Sequence, residues 1–184
     1  MSTSINQNTH TGPSFSFKNR ALRLLWNIVY LLFFRFSPRP CHAWRAFILR
    51  SFGATLGKDC HIYPSARIWA PWNLFCEDEV GVGDHATLYN QAPITLGKRV
   101  VISQGTHLCT GTHDYNEPGF PLIAKPITIG ALSWIAAESF IHPQIVIGEG
   151  CVVGARSVVT KNLPPWHICA GNPCASIKPR KRHE

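Results

Sequence analysis

"IGALSWIAAESFIHPQIVIGEGCVVGARSVVTKNLP", residues 129–164, decides the fold: cut into sixes, it puts Ile129, Ile135, Ile141, Ile147, Val153 and Val159 at the head of every hexad. A strand alternates with period two and an amphipathic helix repeats near 3.6. Neither sets an aliphatic residue at every sixth place with small or polar residues between. Period six does arise when short straight segments meet at regular corners, so that each leading residue points to one axis. Three hexads then close one coil.

The register extends upstream. "LGKDCHIYPSARIWAPWNLFCEDE" begins at Leu56, "VGDHATLYNQAP" at Val82 after two extra residues, and "LGKRVVISQGTHLCTGTH" at Leu96 after two more. All fifteen leading positions are Leu, Ile or Val. Fifteen hexads predict an all-β solenoid of about five coils, a prism about 24 Å high at a strand spacing of about 4.8 Å. Glycines at 57, 83, 97, 130, 148 and 154 follow the leading residue, where the sequence suggests a turn that a Cβ would hinder.

Stacked repeats leave open ends that need covers. The sequence divides accordingly: a disordered polar tail over 1–15, basic amphipathic helices over 16–54, the repeat over 55–164 with a projecting loop at 114–128, and a cap with a basic tail over 165–184. The first helix stops at Pro38 and Pro40, which lack amide donors; the second, "CHAWRAFILRSFG", ends near Gly53. Ala21–Phe34 is a 14-residue apolar run, short of the roughly 20 residues that span a bilayer. No Asp or Glu precedes Asp59, whereas Lys18, Arg20, Arg23, Arg35, Arg39, Arg45 and Arg50 all do. Such segregation suits a helix lying on an anionic membrane surface; the other reading is that the helices pack on the solenoid, burying Trp26 and Phe33, while the arginines face water.

The formal charge of +8 favours anionic partners without choosing among them. It sits near the ends, with no interleaving of aromatic and basic residues, which argues against nucleic acid. Seven cysteines, with no CxxC pair, do not form a disulfide framework; Cys60 and Cys151 fall at apolar repeat positions and read as small buried side chains of a reducing cytoplasm. No signal peptide of the usual order is seen.

The pattern closely resembles the hexapeptide-repeat acyltransferases, and within them the sugar O-acetyltransferases of colanic acid and related exopolysaccharide synthesis. The shared stretches are "HIYPSARIWAPWNL", "ISQGTHLCTGTHDY", "VVGARSVVTKNLPPW" and "GNP". The resemblance implies a left-handed parallel β-helix, a homotrimer, and acetyl-CoA as acetyl donor to a sugar, nucleotide-sugar or lipid-linked glycan in the cytoplasm or at the inner face of the membrane.

His113 closes "TGTH" just before the projecting loop, and the resemblance makes it the general base; histidine has the pKa and reach for that task. Its orienting partner is left open among Asp84, Asn90 and a backbone carbonyl. Along the donor groove the likeness carries over to Ala136 and Ala137 by the pantetheine arm, to Ala155, Thr160 and Lys161 by the adenosine half, and to Lys178 by the phosphates. Arg180, Lys181 and Arg182 extend that charge. On the acceptor side Asp84, His85, Asn90 and Trp134 occupy family positions, although the asparagine-rich segment of the maltose and galactoside enzymes is replaced here, which argues against a free disaccharide. Cys109 permits an acyl-cysteine route. No metal is expected: a zinc enzyme of the γ-carbonic anhydrase type needs three converging ligands, and His107, His113 and His142 are spaced apart. A noncatalytic structural trimer is the remaining alternative.

Overall fold

In the computed structural model, which describes residues 14–182, the hexads form three flat parallel sheets around one axis. The first sheet stacks Thr55–Leu56, Leu74–Cys76, Ile94–Leu96, Ile127–Ile129 and Val146–Ile147. The second stacks His61–Ile62, Gly81–Val82, Val101–Ile102, Trp134–Ile135 and Val152–Val153. The third stacks Arg67–Ile68, Thr87–Tyr89, His107–Cys109, Phe140–Ile141 and Val158–Val159. The fold is a left-handed parallel β-helix of five complete coils. A sixth begins where Leu163 bridges Ile147 and His167–Gly171 pairs parallel to Val152–Val153. Cys174–Pro179 then folds back antiparallel on His167–Gly171, so the carboxyl-terminal segment first prolongs the repeat and then closes it as a hairpin.

All fifteen leading residues are buried, most of them completely. Each such aliphatic side chain contributes about 1.5–3 kcal/mol on leaving water. A second inward column, at the fifth hexad place, holds Cys60, Ala66, Ala86, Val100, Ser133, Ser139, Cys151 and Ser157. Two columns share a narrow lumen, so most of these are small, while Ile145 and Leu163 fill the same place toward the carboxyl-terminal end. The serine hydroxyls are satisfied by corner carbonyls, Ser133 Oγ donating to Gly148 O at 2.9 Å and Ser157 Oγ to Gly154 O at 2.7 Å.

The glycine expectation is corrected in its cause. Left-handed φ falls at the fourth hexad place, from Asp59 at 52° to Gln144 at 67°, and not at the second-place glycines. What those glycines avoid is the next coil: a Cβ on Gly130 would meet Glu149 N at 2.5 Å, and one on Gly97 would meet Ala131 N at 2.6 Å.

Neighbouring coils exchange hydrogen bonds in both directions, Gly57 N donating forward to Cys76 O and Glu79 N back to Lys58 O, so carbonyls as well as N–H groups of each coil are served by the coil before it. The first coil is therefore left with carbonyls that have no earlier coil to serve them. The helices α1 (Phe17–Val29, continued by a π-turn at Tyr30–Phe34) and α2 (His42–Ser51) supply donors to all three sides. Arg50 reaches Gly57 O at 2.8 Å, Arg45 Nε reaches Ile62 O at 2.6 Å, and Trp26 Nε1 reaches Ile68 O at 2.7 Å. Such pairing removes an edge on which another chain could add.

The helices thus pack on the solenoid through Trp26, Phe34, Ala46, Ile48 and Leu49. Phe33, expected inside, is 54% exposed, and Phe34 takes its place because the π-turn shifts the face. Arg45 is fully buried and also serves Ser37 and the Pro38 and Arg39 carbonyls, so it does not face water. Residues 1–13 of the expected tail, with His10, lie outside the described residues, as does His183. Phe15, read as tail, packs on Trp69 at 5.0 Å.

Candidate functional site

The projecting loop leaves the third coil as an antiparallel hairpin, Gly111–His113 against Leu122–Ala124, before Ile127 rejoins the first sheet. His113 pairs with Leu122 at the end of this ladder, exposed, with the turn folded toward it. Its Nδ1 lies 2.6 Å from the Phe120 carbonyl oxygen. A carbonyl only accepts, so Nδ1 carries the proton and in the neutral ring Nε2 keeps its lone pair.

Of the three orienting partners the sequence left open, the geometry selects the backbone carbonyl. Asp84 is engaged elsewhere, accepting from Ser65 Oγ at 2.6 Å and pairing with Arg39 at 2.9 Å. Asn90 is a correction to the acceptor set: it is fully buried, its Oδ1 accepting from Ala70 N at 2.9 Å and its Nδ2 donating to Ala70 O at 2.7 Å. Both ends of its amide are used to hold one corner of the first coil to the second.

All the remaining candidates but Trp134 and Lys178 stand at two corners of the prism. Asp84, His85, Ala136, Ala137 and Ala155 line the corner that joins the second and third sheets. His113, Thr160 and Lys161 stand at the corner that joins the third sheet to the first. Within one chain these groups flank the third sheet and do not converge.

The larger groove, about 740 Å³, runs over the second sheet onto the first of these corners and is lined by Arg39, Tyr63, Asp84, His85, Ser103 and Gln104. Trp134 borders it, Nε1 donating to Ser103 Oγ at 2.8 Å. On the other side of Trp134 a groove of about 320 Å³ is bounded by Arg99, Trp166, Arg180 and Lys181. Arg180 is anchored there on the Leu132 and Gly150 carbonyls, both at 2.9 Å. Lys178 is exposed on the terminal hairpin, paired in register with Ile168.

Sequence reasoning missed one contributor and could not locate another. Arg39 was counted only as one of the amino-terminal cations, yet it lines the groove and neutralises Asp84. The absence of acidic residues near it was the one available hint. The Phe120 carbonyl left no side-chain signal at all.

Cys109 donates to Gly111 O at 3.2 Å, and burial pushes its thiol pKa up, so it rests protonated and poorly nucleophilic. Among the described residues no three His, Cys, Asp or Glu side chains are grouped to hold a metal ion.

A family pattern described as "Bacterial transferase hexapeptide (six repeats)" matches residues 126–161. The colanic acid biosynthesis acetyltransferase WcaF of Escherichia coli (strain K12) is 46% identical over 160 residues, covering 87% of this chain and 88% of that one. The galactoside O-acetyltransferase of the same organism is 30% identical, covering 73% of this chain and 68% of its own. Among solved structures, a hexapeptide-repeat acetyltransferase of Vibrio cholerae O1 biovar eltor complexed with acetyl coenzyme A superposes with a TM-score of 0.80 at 27% identity, over 91% of each chain. Periodicity, coil geometry and a relative aligned along most of both chains agree, and the chain belongs to the hexapeptide-repeat acetyltransferases.

Proposed function

We propose that the protein transfers the acetyl group of acetyl-CoA to a hydroxyl of a sugar, nucleotide sugar or lipid-linked glycan in exopolysaccharide synthesis, with His113 as general base. The observation that carries this reading is the 2.6 Å bond from His113 Nδ1 to the Phe120 carbonyl, which leaves Nε2 free on an exposed hairpin. The acceptor hydroxyl gives its proton to Nε2 as its oxygen attacks the thioester carbon. The C–S bond then breaks, and the thiolate leaves with the proton from the imidazolium. A backbone amide holds the oxyanion in between.

Small side chains at Ala136, Ala137 and Ala155 let a pantetheine arm lie close to the backbone, while Thr160, Lys161 and Lys178 supply donors and cations for the nucleotide end. Asp84, His85 and Trp134 serve the acceptor. A homotrimer is supported by the two corners: a threefold rotation that gathers the third sheets about an axis brings the His113 corner of one copy against the Asp84 and Ala136 corner of the next. We read the enzyme as cytoplasmic and, for a lipid-linked acceptor, working at the inner face of the membrane.

The test is to incubate labelled acetyl-CoA with nucleotide sugars and lipid-linked glycans and map the acetyl ester formed. His113→Ala is expected to lower kcat by about a hundredfold or more with acetyl-CoA binding retained. Cys109→Ala is expected to stay active, and sedimentation to give a trimer. Unchanged turnover in His113→Ala, or an acetylated Cys109 that turns over competently, overturns the mechanism.

A further inference from the structure

The amino-terminal helices have two apolar faces, and the solenoid uses only one. Opposite Trp26 and Phe34, the positions 17, 21, 24, 28 and 31 recur at helical spacing as Phe, Ala, Leu, Ile and Leu. Phe17 is 82% exposed and Leu24 63%, and at the far end Phe36 is 75% exposed. On α2 the exposed Trp44 and Phe47 rings stack at 5.9 Å beside Phe33, and Trp44 Nε1 donates to the Phe33 carbonyl, joining the two helices at their outer surface. An exposed apolar surface of this extent marks something the protein binds.

We infer that this outer face is a lipid-docking surface, which lays α1 in the plane of an anionic bilayer. Charge complementarity names the occupant. No acidic residue precedes Asp59, and the exposed Lys18, Arg20 and Arg35 stand next to the apolar stripe with no carboxylate partner among the described residues. Arg23, Arg45 and Arg50 are instead turned to the fold: Arg23 lies over the Trp69 ring at 4.3 Å, and the other two bond first-coil carbonyls. The stripe itself is aliphatic and aromatic, with no polar group to fix a protein partner in register. No helix among the described residues is long and apolar enough to cross a membrane, so the face is suited to lying on the surface, its aliphatic groups below the headgroups and its cations among them.

Docking sets the height of the site. The His113 hairpin leaves the third coil, two rungs beyond the capped one. With a helix layer about 10 Å thick and rungs about 4.8 Å apart, His113 stands about 20 Å from the lipid when the solenoid axis lies along the membrane normal. That consequence for a lipid-linked acceptor rests on the acetyl-transfer reading; the docking itself does not.

The test is cosedimentation of the full-length protein with phosphatidylcholine vesicles, with and without phosphatidylglycerol, at low and high salt. Wild type is expected to bind the anionic vesicles, less so at high salt. Leu24→Gln with Ile28→Gln is expected to weaken this binding about tenfold or more. Lys18→Gln with Arg20→Gln is expected to weaken it on anionic vesicles alone. Circular dichroism and acetyl-CoA binding, measured on each variant, separate lost docking from lost folding, and no turnover is needed. Wild type that binds neither vesicle, or an apolar-face variant that is folded and binds as wild type does, overturns the inference. So does a wild-type assembly larger than a trimer that the same variant dissociates, because the face is then covered by a second copy.

Discussion

Asn90→Ala tests whether that residue serves the acceptor or the fold. The substitution orphans two backbone groups, the Ala70 N–H and the Ala70 carbonyl, both now bonded to the Asn90 amide at a corner where Ala70 and Asn90 are fully buried. A buried polar group left without a partner costs about 1–3 kcal/mol, so the pair predicts a loss of about 3 kcal/mol once imperfect relaxation by water is allowed for. For a chain of this length that corresponds to a fall in Tm of about 6–12 °C. Asn90→Leu keeps most of the side-chain volume and orphans the same groups, so its loss should be similar; a much smaller one would assign the effect to the cavity instead. The assay is equilibrium urea unfolding at fixed protein concentration, read by circular dichroism, with KM for the acceptor measured on the folded fraction. The expected result is lower stability with KM unchanged. A stability change under about 1 kcal/mol, or a raised KM in a protein as stable as wild type, refutes the reasoning and returns Asn90 to the acceptor site.

Two further outcomes are expected. Gly130→Ala drives a Cβ to 2.5 Å from Glu149 N and should cost about 1–3 kcal/mol or more in urea unfolding, whereas Gly81→Ala, with nothing within 4 Å of its added carbon, should lie within about 0.5 kcal/mol of wild type. Equal effects at the two sites would contradict the close-approach explanation. Burial holds the His107 pKa below its ordinary 6.5, its ring lying between Tyr89 and Phe140, so the unfolded chain takes up this proton first. Stability is therefore full above 6.5 and falls as the pH drops below it; His107→Phe should flatten that slope in pH-dependent unfolding, leaving the part due to His42, whose pKa is lowered by burial as well. An unchanged slope would remove His107 from the linkage.

Period six alone points to the solenoid, because the inward direction of every leading residue is a local consequence of that period, and fifteen aliphatics in that register have one way to be buried together. The sequence also marked the two helices, since prolines and a polar-to-apolar change of pattern are local signals, and it singled out His113 by its place at the interruption. What it left undecided depends on residues far apart in the chain. Asn90 reads as a polar corner residue until the preceding coil brings Ala70 beneath it. Arg45 and Arg50 read as solvent cations until the unpaired carbonyls of the first coil face them. The orienting group of His113 is a main-chain oxygen, which has no letter in the sequence, and only the folded hairpin carries it to the ring. Period six likewise says which residues point inward but not which corner meets which. The stacking of sheets decided that, setting the donor-side alanines and His113 at opposite borders of one face.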